Sequence, residues 1–98
     1  MNQFMVEVKL PESMTQEFML LIPQQREFID EMFNSGVISN YTLAMDRSKL
    51  WVTFVAQNVR EVRQILDDFP IAEHIEYTIH QLAFSNSASA IIPEISLN

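Results

Sequence analysis

Twice along this chain the hydrophobic period changes from that of a strand to that of a helix across a short polar break, and no other feature restricts its fold as much. Asn2 to Leu10 alternates, with Phe4, Val6, Val8 and Leu10 on one face and Gln3, Met5, Glu7 and Lys9 on the other, the pattern of a strand with one buried side. Pro11 ends it. Ser13 and Gln16 then have the spacing of a capping box, and Phe18, Leu21, Ile22, Phe28, Ile29, Met32 and Phe33 keep to one stripe, which predicts an amphipathic helix over 14–35. Pro23 lies inside that helix, where its ring removes a backbone donor and predicts a kink. Asn34-Ser35-Gly36 closes it, with the chain's single glycine where a left-handed cap is wanted.

The second half repeats the plan. Runs 37–45 and 49–56 are rich in β-branched and aromatic residues and are joined by Asp46-Arg47-Ser48, which reads as a hairpin. Asn58 and Glu61 repeat the capping-box spacing, and Val59, Val62, Ile65, Leu66 and Phe69 form the stripe of a second helix that ends before Pro70. A fourth strand is predicted over 73–84. The order βαββαβ is that of a ferredoxin-like α+β fold, with two helices on one face of a four-stranded antiparallel sheet.

At 98 residues the chain has room for one core, placed here at residues 1–85. Thirteen acidic residues against six basic ones give a formal charge of −7, which repels nucleic acid and anionic membranes. There is no cysteine, hence no disulfide, thiol nucleophile or cysteine-based zinc site. Glu7 and Lys9 break the apolar start, so it does not read as a signal peptide, and the apolar run Phe18 to Ile22 is far too short to cross a bilayer. A cytoplasmic protein with neither nucleic acid nor membrane as partner is expected. No phosphate loop, dinucleotide fingerprint or nucleophile elbow occurs.

The sheet face away from the helices carries large apolar groups on either parity, Met5, Trp51 and Val55 or Leu50, Val52 and Phe54. A second copy packed sheet to sheet is the economical cover, giving a homodimer that encloses a largely apolar cavity for a small-molecule ligand. In 86–98 a Ser/Asn/Ala-rich linker precedes Ile91, Ile92, Ile95 and Leu97, too apolar for a solvated end, which predicts an arm docking on a neighbouring subunit and supporting a higher oligomer.

Val8-Lys9-Leu10-Pro11, the helix closed by Gly36, the hairpin after it, and Phe69-Pro70 leading into 75–82 resemble the muconolactone isomerase family over residues 1–85. The resemblance implies a dimeric α/β barrel that assembles further. It also implies cofactor-free movement of a double bond in a small carboxylated lactone, by removing a proton from one carbon and returning it to another, with neither metal nor organic cofactor. Counted from Gly36, the family's inward-facing helix carboxylate falls at Gln25, and its basic Arg-His pair falls at Ser39 and Asn40. An amide cannot act as a general base. The helical wheel places Gln25 within the stripe of Leu21, Ile29 and Met32, while Glu27 points away.

The displaced base falls to His80 and Glu7. His80 shares a strand face with Thr78 and Glu76 and lies beside the first strand, where Glu7 is a candidate neighbour for a carboxylate–histidine proton shuttle. A histidine packed at the dimer face is the plainer alternative. Gln25, Arg26, Ser39, Tyr41 and Trp51 are the candidate ligand-binding residues: Arg26 as an anion anchor or a solvated charge, Tyr41 and Trp51 as walls for a planar ring or as packing. Gln25 has a structural alternative, hydrogen bonding the carbonyl that Pro23 frees. His74 and His80 stand about 20 Å apart along an extended strand, which rules out one shared metal ion within a subunit. Three classes of function remain at this point: an isomerase-like enzyme, a cofactor-free monooxygenase-like enzyme of the same architecture, and a non-catalytic binding or assembly module.

Overall fold

The computed structural model describes residues 1–86. Along the chain run β1 (Asn2–Lys9), α1 (Gln16–Asn34), β2 (Ile38–Leu43), β3 (Lys49–Ala56), α2 (Val59–Asp67), a short 3₁₀ turn (Ala72–His74) and β4 (Glu76–Gln81). The four strands form one antiparallel sheet in the order β2-β3-β1-β4, the ferredoxin-like α+β arrangement. The arm predicted for 86–98 lies, apart from Asn86, outside the described residues.

Helix α1 starts later than its sequence pattern predicts. Its N-cap is Thr15, whose hydroxyl accepts the Phe18 N–H at 3.1 Å, and Ser13 stands outside it. Thr15 offers the same hydroxyl acceptor one position before the helix's first residue, Gln16, so the first free N–H groups meet it instead. Pro23 interrupts the hydrogen-bond ladder but not the element, which continues to Asn34. The end is a Schellman motif: the Gly36 N–H donates to the Phe33 carbonyl at 3.1 Å and the Val37 N–H to that of Met32 at 2.9 Å, with Gly36 at φ +77°. At α2 the Asn58 side chain accepts the Glu61 N–H at 2.9 Å, as its spacing predicts.

The fourth strand is shorter than predicted. Residues Ala72–His74 form the 3₁₀ turn, its His74 N–H donating to the Ile71 carbonyl, because Phe69 and Ile71 are drawn into the core beneath the sheet and the chain must turn before it can extend.

Period-two alternation sorts the sheet. Phe4, Val6 and Val8 of β1 and Leu50, Val52, Phe54 and Ala56 of β3 are buried beneath the helices, joined by Phe18 and Ile29 of α1 and by Val62 and Leu66 of α2. Phe69 packs between Phe28 and Phe54, with ring centroids 5.5 and 6.4 Å away. Phe33, at the end of the predicted stripe, is 41% exposed. The opposite sheet face carries Met5, Glu7, Trp51, Thr53, Val55, Thr78 and His80, so the apolar groups facing away from the helices are Met5, Trp51 and Val55.

Candidate functional site

A pocket of about 210 Å³ opens between α1 and the β2–β3 end of the sheet. Buried Phe18, Gln25, Leu50 and Ile71 form its inner wall, and the exposed members Met14, Arg26, Leu43 and Arg47 form its solvent side. Gln25 is there because the α1 stripe carries it inward with Ile29, and it is only 5% exposed. Tyr41 reaches the same space because it pairs with Val52 on the helix face of the sheet.

A buried amide must satisfy both of its ends. The Ile71 N–H donates to Gln25 Oε1 at 3.4 Å, which turns Nε2 toward the Tyr41 hydroxyl, also at 3.4 Å. Gln25 thus bonds the loop after α2 and strand β2, and not the carbonyl freed at Pro23. Tyr41 accepts from Gln25, so its own O–H proton is available to an acceptor in the pocket. Burial pushes the Tyr41 phenol above its ordinary range, with the Gln25 hydrogen bond pulling the other way. At neutral pH Tyr41 is therefore a neutral donor. Among the described residues that line this pocket there is no carboxylate and no histidine.

The candidate residues divide between two faces. Gln25, Arg26 and Tyr41 line the pocket. Glu7, Trp51 and His80 lie on the other side of the sheet, where Glu7 is paired in register with Trp51 and Thr78, and His80 with Met5. Glu7 therefore sits one diagonal step from His80, and its carboxylate meets Lys49 Nζ at 3.2 Å in an exposed ion pair. Ser39 is exposed at the irregularity in register between Ile38 and Asn40, where its hydroxyl accepts from the Asn40 amide.

The carboxylate–histidine pair that does form is Glu17 with His74, 3.4 Å apart. His74 also meets the edge of Phe18, ring centroids 5.6 Å apart, so the pair stands behind a wall residue of the pocket. Sequence separation hides it, since 57 positions divide the two residues. Arg47 is the other residue missed, and the signal was its place in the hairpin turn, where a left-handed backbone is common and a long cationic side chain is not. Among the described residues no group of three histidine, aspartate or glutamate side chains is arranged to hold a metal ion, and no helix is long and apolar enough to cross a membrane.

Comparison with solved structures adds a likeness in fold. The chain matches the crystal structure of muconolactone isomerase at 3.3 Å resolution with a TM-score of 0.71, covering 88% of this chain and 93% of that one. The two share the muconolactone isomerase fold. Sequence identity is 17%, so the likeness is one of backbone architecture. No protein-family model matches the chain, and no curated protein matches it by sequence.

Proposed function

We propose that this protein binds a small ring compound in the pocket between α1 and the sheet, as a small-molecule-binding module built on the muconolactone isomerase fold, with no proton-abstracting side chain among the described residues of that pocket. The observation that carries this reading is the lining: an apolar cleft with the Gln25–Tyr41 pair at its inner wall, arginines at its edge and, among the described residues that line it, no carboxylate or histidine to take up a proton. Its volume of about 210 Å³ lies below the roughly 300–1,000 Å³ of pockets for drug-sized ligands, which suits a compound of about one ring.

The fold likeness favours a second reading, isomerisation of a small carboxylated lactone by cofactor-free proton transfer. In it, His80 or Glu7 supplies the base from the open sheet face. One experiment separates the two. Purified protein is assayed with muconolactone in a spectrophotometer, with His80→Ala alongside, while ligand-induced thermal stabilisation is followed in parallel. Stabilisation without product is expected; turnover that disappears in His80→Ala would replace the binding reading with the isomerase.

The same reading includes a homodimer packed sheet to sheet, supported by the apolar strip of Met5, Trp51 and Val55. Light scattering at micromolar concentration is expected to give twice the chain mass, and a monomer would remove the dimer.

A further inference from the structure

We infer that the Ile71 N–H, the Gln25 amide and the Tyr41 hydroxyl form a one-way hydrogen-bond chain that ends in the pocket as a donor, so that the pocket selects an uncharged ring ketone and discriminates against the matching ring alcohol. The inference rests on the pocket being a ligand site, as proposed above, and adds the hydrogen-bonding class of the ligand and the residues that set it.

Register in β2 is the first support. Ile38 pairs with buried Phe54, and plain alternation from there sends residue 41 to the open face, opposite Trp51. Between Ile38 and Asn40 the register shifts by one residue, so Tyr41 pairs instead with Val52 and Leu43 with Leu50, both partners buried beneath the helices. One extra residue in the strand therefore turns Tyr41 and Leu43 into the pocket. Bulges of this kind re-aim side chains and are over-represented beside functional sites.

Direction along the hydrogen-bond chain is the second. A backbone N–H can only donate, so the Ile71 N–H, 3.4 Å from the Gln25 side chain, fixes Oε1 as its partner. The opposite orientation of the amide sets N–H against N–H. Nε2 is thereby turned to the Tyr41 oxygen, at 3.4 Å, and it too can only donate. The phenol proton must then point elsewhere, and among the described residues the hydroxyl's one hydrogen bond is the one it accepts from Gln25. Burial keeps that proton in place at neutral pH.

The third is the balance of donors and acceptors. Among the described residues that line the pocket, Arg26, Arg47 and Tyr41 carry side-chain donors, whereas the side-chain oxygens are those of Gln25 and Tyr41, and each already accepts a hydrogen bond. A ketone oxygen accepts and brings no proton of its own. An alcohol brings a hydroxyl proton that finds both oxygens engaged, and an unpaired donor in an apolar site is costly. Phe18, Gln25, Leu50 and Ile71 put no charged group on the inner wall, so an ion there loses its water without a counter-charge.

The test uses the full chain and two probes of similar shape, cyclohexanone and cyclohexanol, in NMR titrations of the wild type, Tyr41→Phe and Gln25→Leu. Wild type is expected to prefer the ketone about tenfold, the penalty of one unpaired hydroxyl proton. Tyr41→Phe should bring the two affinities together, and the infrared carbonyl stretch of the bound ketone, lowered by the phenol in wild type, should rise. Gln25→Leu frees the Tyr41 oxygen to accept, so cyclohexanol should gain on cyclohexanone, whereas a merely structural loss weakens both alike; this variant carries the test should Tyr41→Phe fail to fold. Equal binding of the two probes, unchanged in the variants, would overturn the donor chain and leave the pocket reading standing. Binding of neither probe to the wild type would overturn both.

Discussion

The Gln25 amide and the Tyr41 hydroxyl meet at 3.4 Å across the pocket between α1 and β2, and the same amide accepts the Ile71 N–H on its other side. One side chain thereby ties a helix, a strand and the loop after α2 to a single position. It also decides the chemistry there, because an amide exchanges hydrogen bonds but no protons at neutral pH.

Removing that tie should weaken the fold. Gln25→Leu leaves the buried Ile71 N–H without its acceptor, and since both bonds are long the expected loss is about 1 kcal/mol, the low end for an orphaned buried donor. A lower urea midpoint with an unchanged slope checks it. An unchanged midpoint would mean that water takes over the Ile71 N–H.

Tyr41 should titrate late. Its folded value is raised above the ordinary 10.0, chiefly by burial, so the unfolded chain ionises first as pH rises. The stability it contributes is complete below about pH 10 and is lost as pH climbs through the folded value. Ultraviolet difference titration should show a phenol ionising above the ordinary range, and Tyr41→Phe should remove that phase and lessen the alkaline loss. A titration unaltered in Tyr41→Phe would contradict the placement.

Substitutions on the far side of the sheet should leave the pocket alone. Glu7→Gln breaks an exposed pair with Lys49 worth about 0–1 kcal/mol, and His80→Ala removes an exposed ring opposite Met5. Cyclohexanone affinity is expected to stay at its wild-type value in both. A tenfold loss in either would place the ligand on the open face instead.

Gly36→Ala isolates the cost of a backbone conformation. A Cβ at that position meets nothing within 4 Å, so the substitution creates no clash, and the whole penalty comes from φ +77°. About 1 kcal/mol of destabilisation is expected by chemical denaturation, in keeping with the strain of alanine in the left-handed region. A neutral substitution would show that the Schellman closure shifts to relieve it.

Local rules carried much of this reading. Alternation in β1 grouped Phe4, Val6 and Val8 on one face, and the structure buries each of them fully beneath the helices. Wheel geometry put Gln25 inside and Glu27 outside, as found, because a helix's inward direction follows from its own apolar stripe. The N-cap slipped from Ser13 to Thr15 and β4 lost its first residues to the 3₁₀ turn, both at element ends, where neighbouring acceptors and the packing of Ile71 compete with the local signal.

By itself, the sequence determined the order of elements, the inward face of each helix and the place of Gln25 on that face of α1, because periodicity and caps act over a few residues. Only the tertiary structure decided which candidates share a space. Strand register set His80 against Met5 and left Glu7 to Lys49, while Tyr41, Gln25 and Arg47 came together from β2, α1 and the hairpin turn on the opposite face. Alternation along one strand separates two faces without saying what lies across each, since that depends on contacts between segments far apart in the chain.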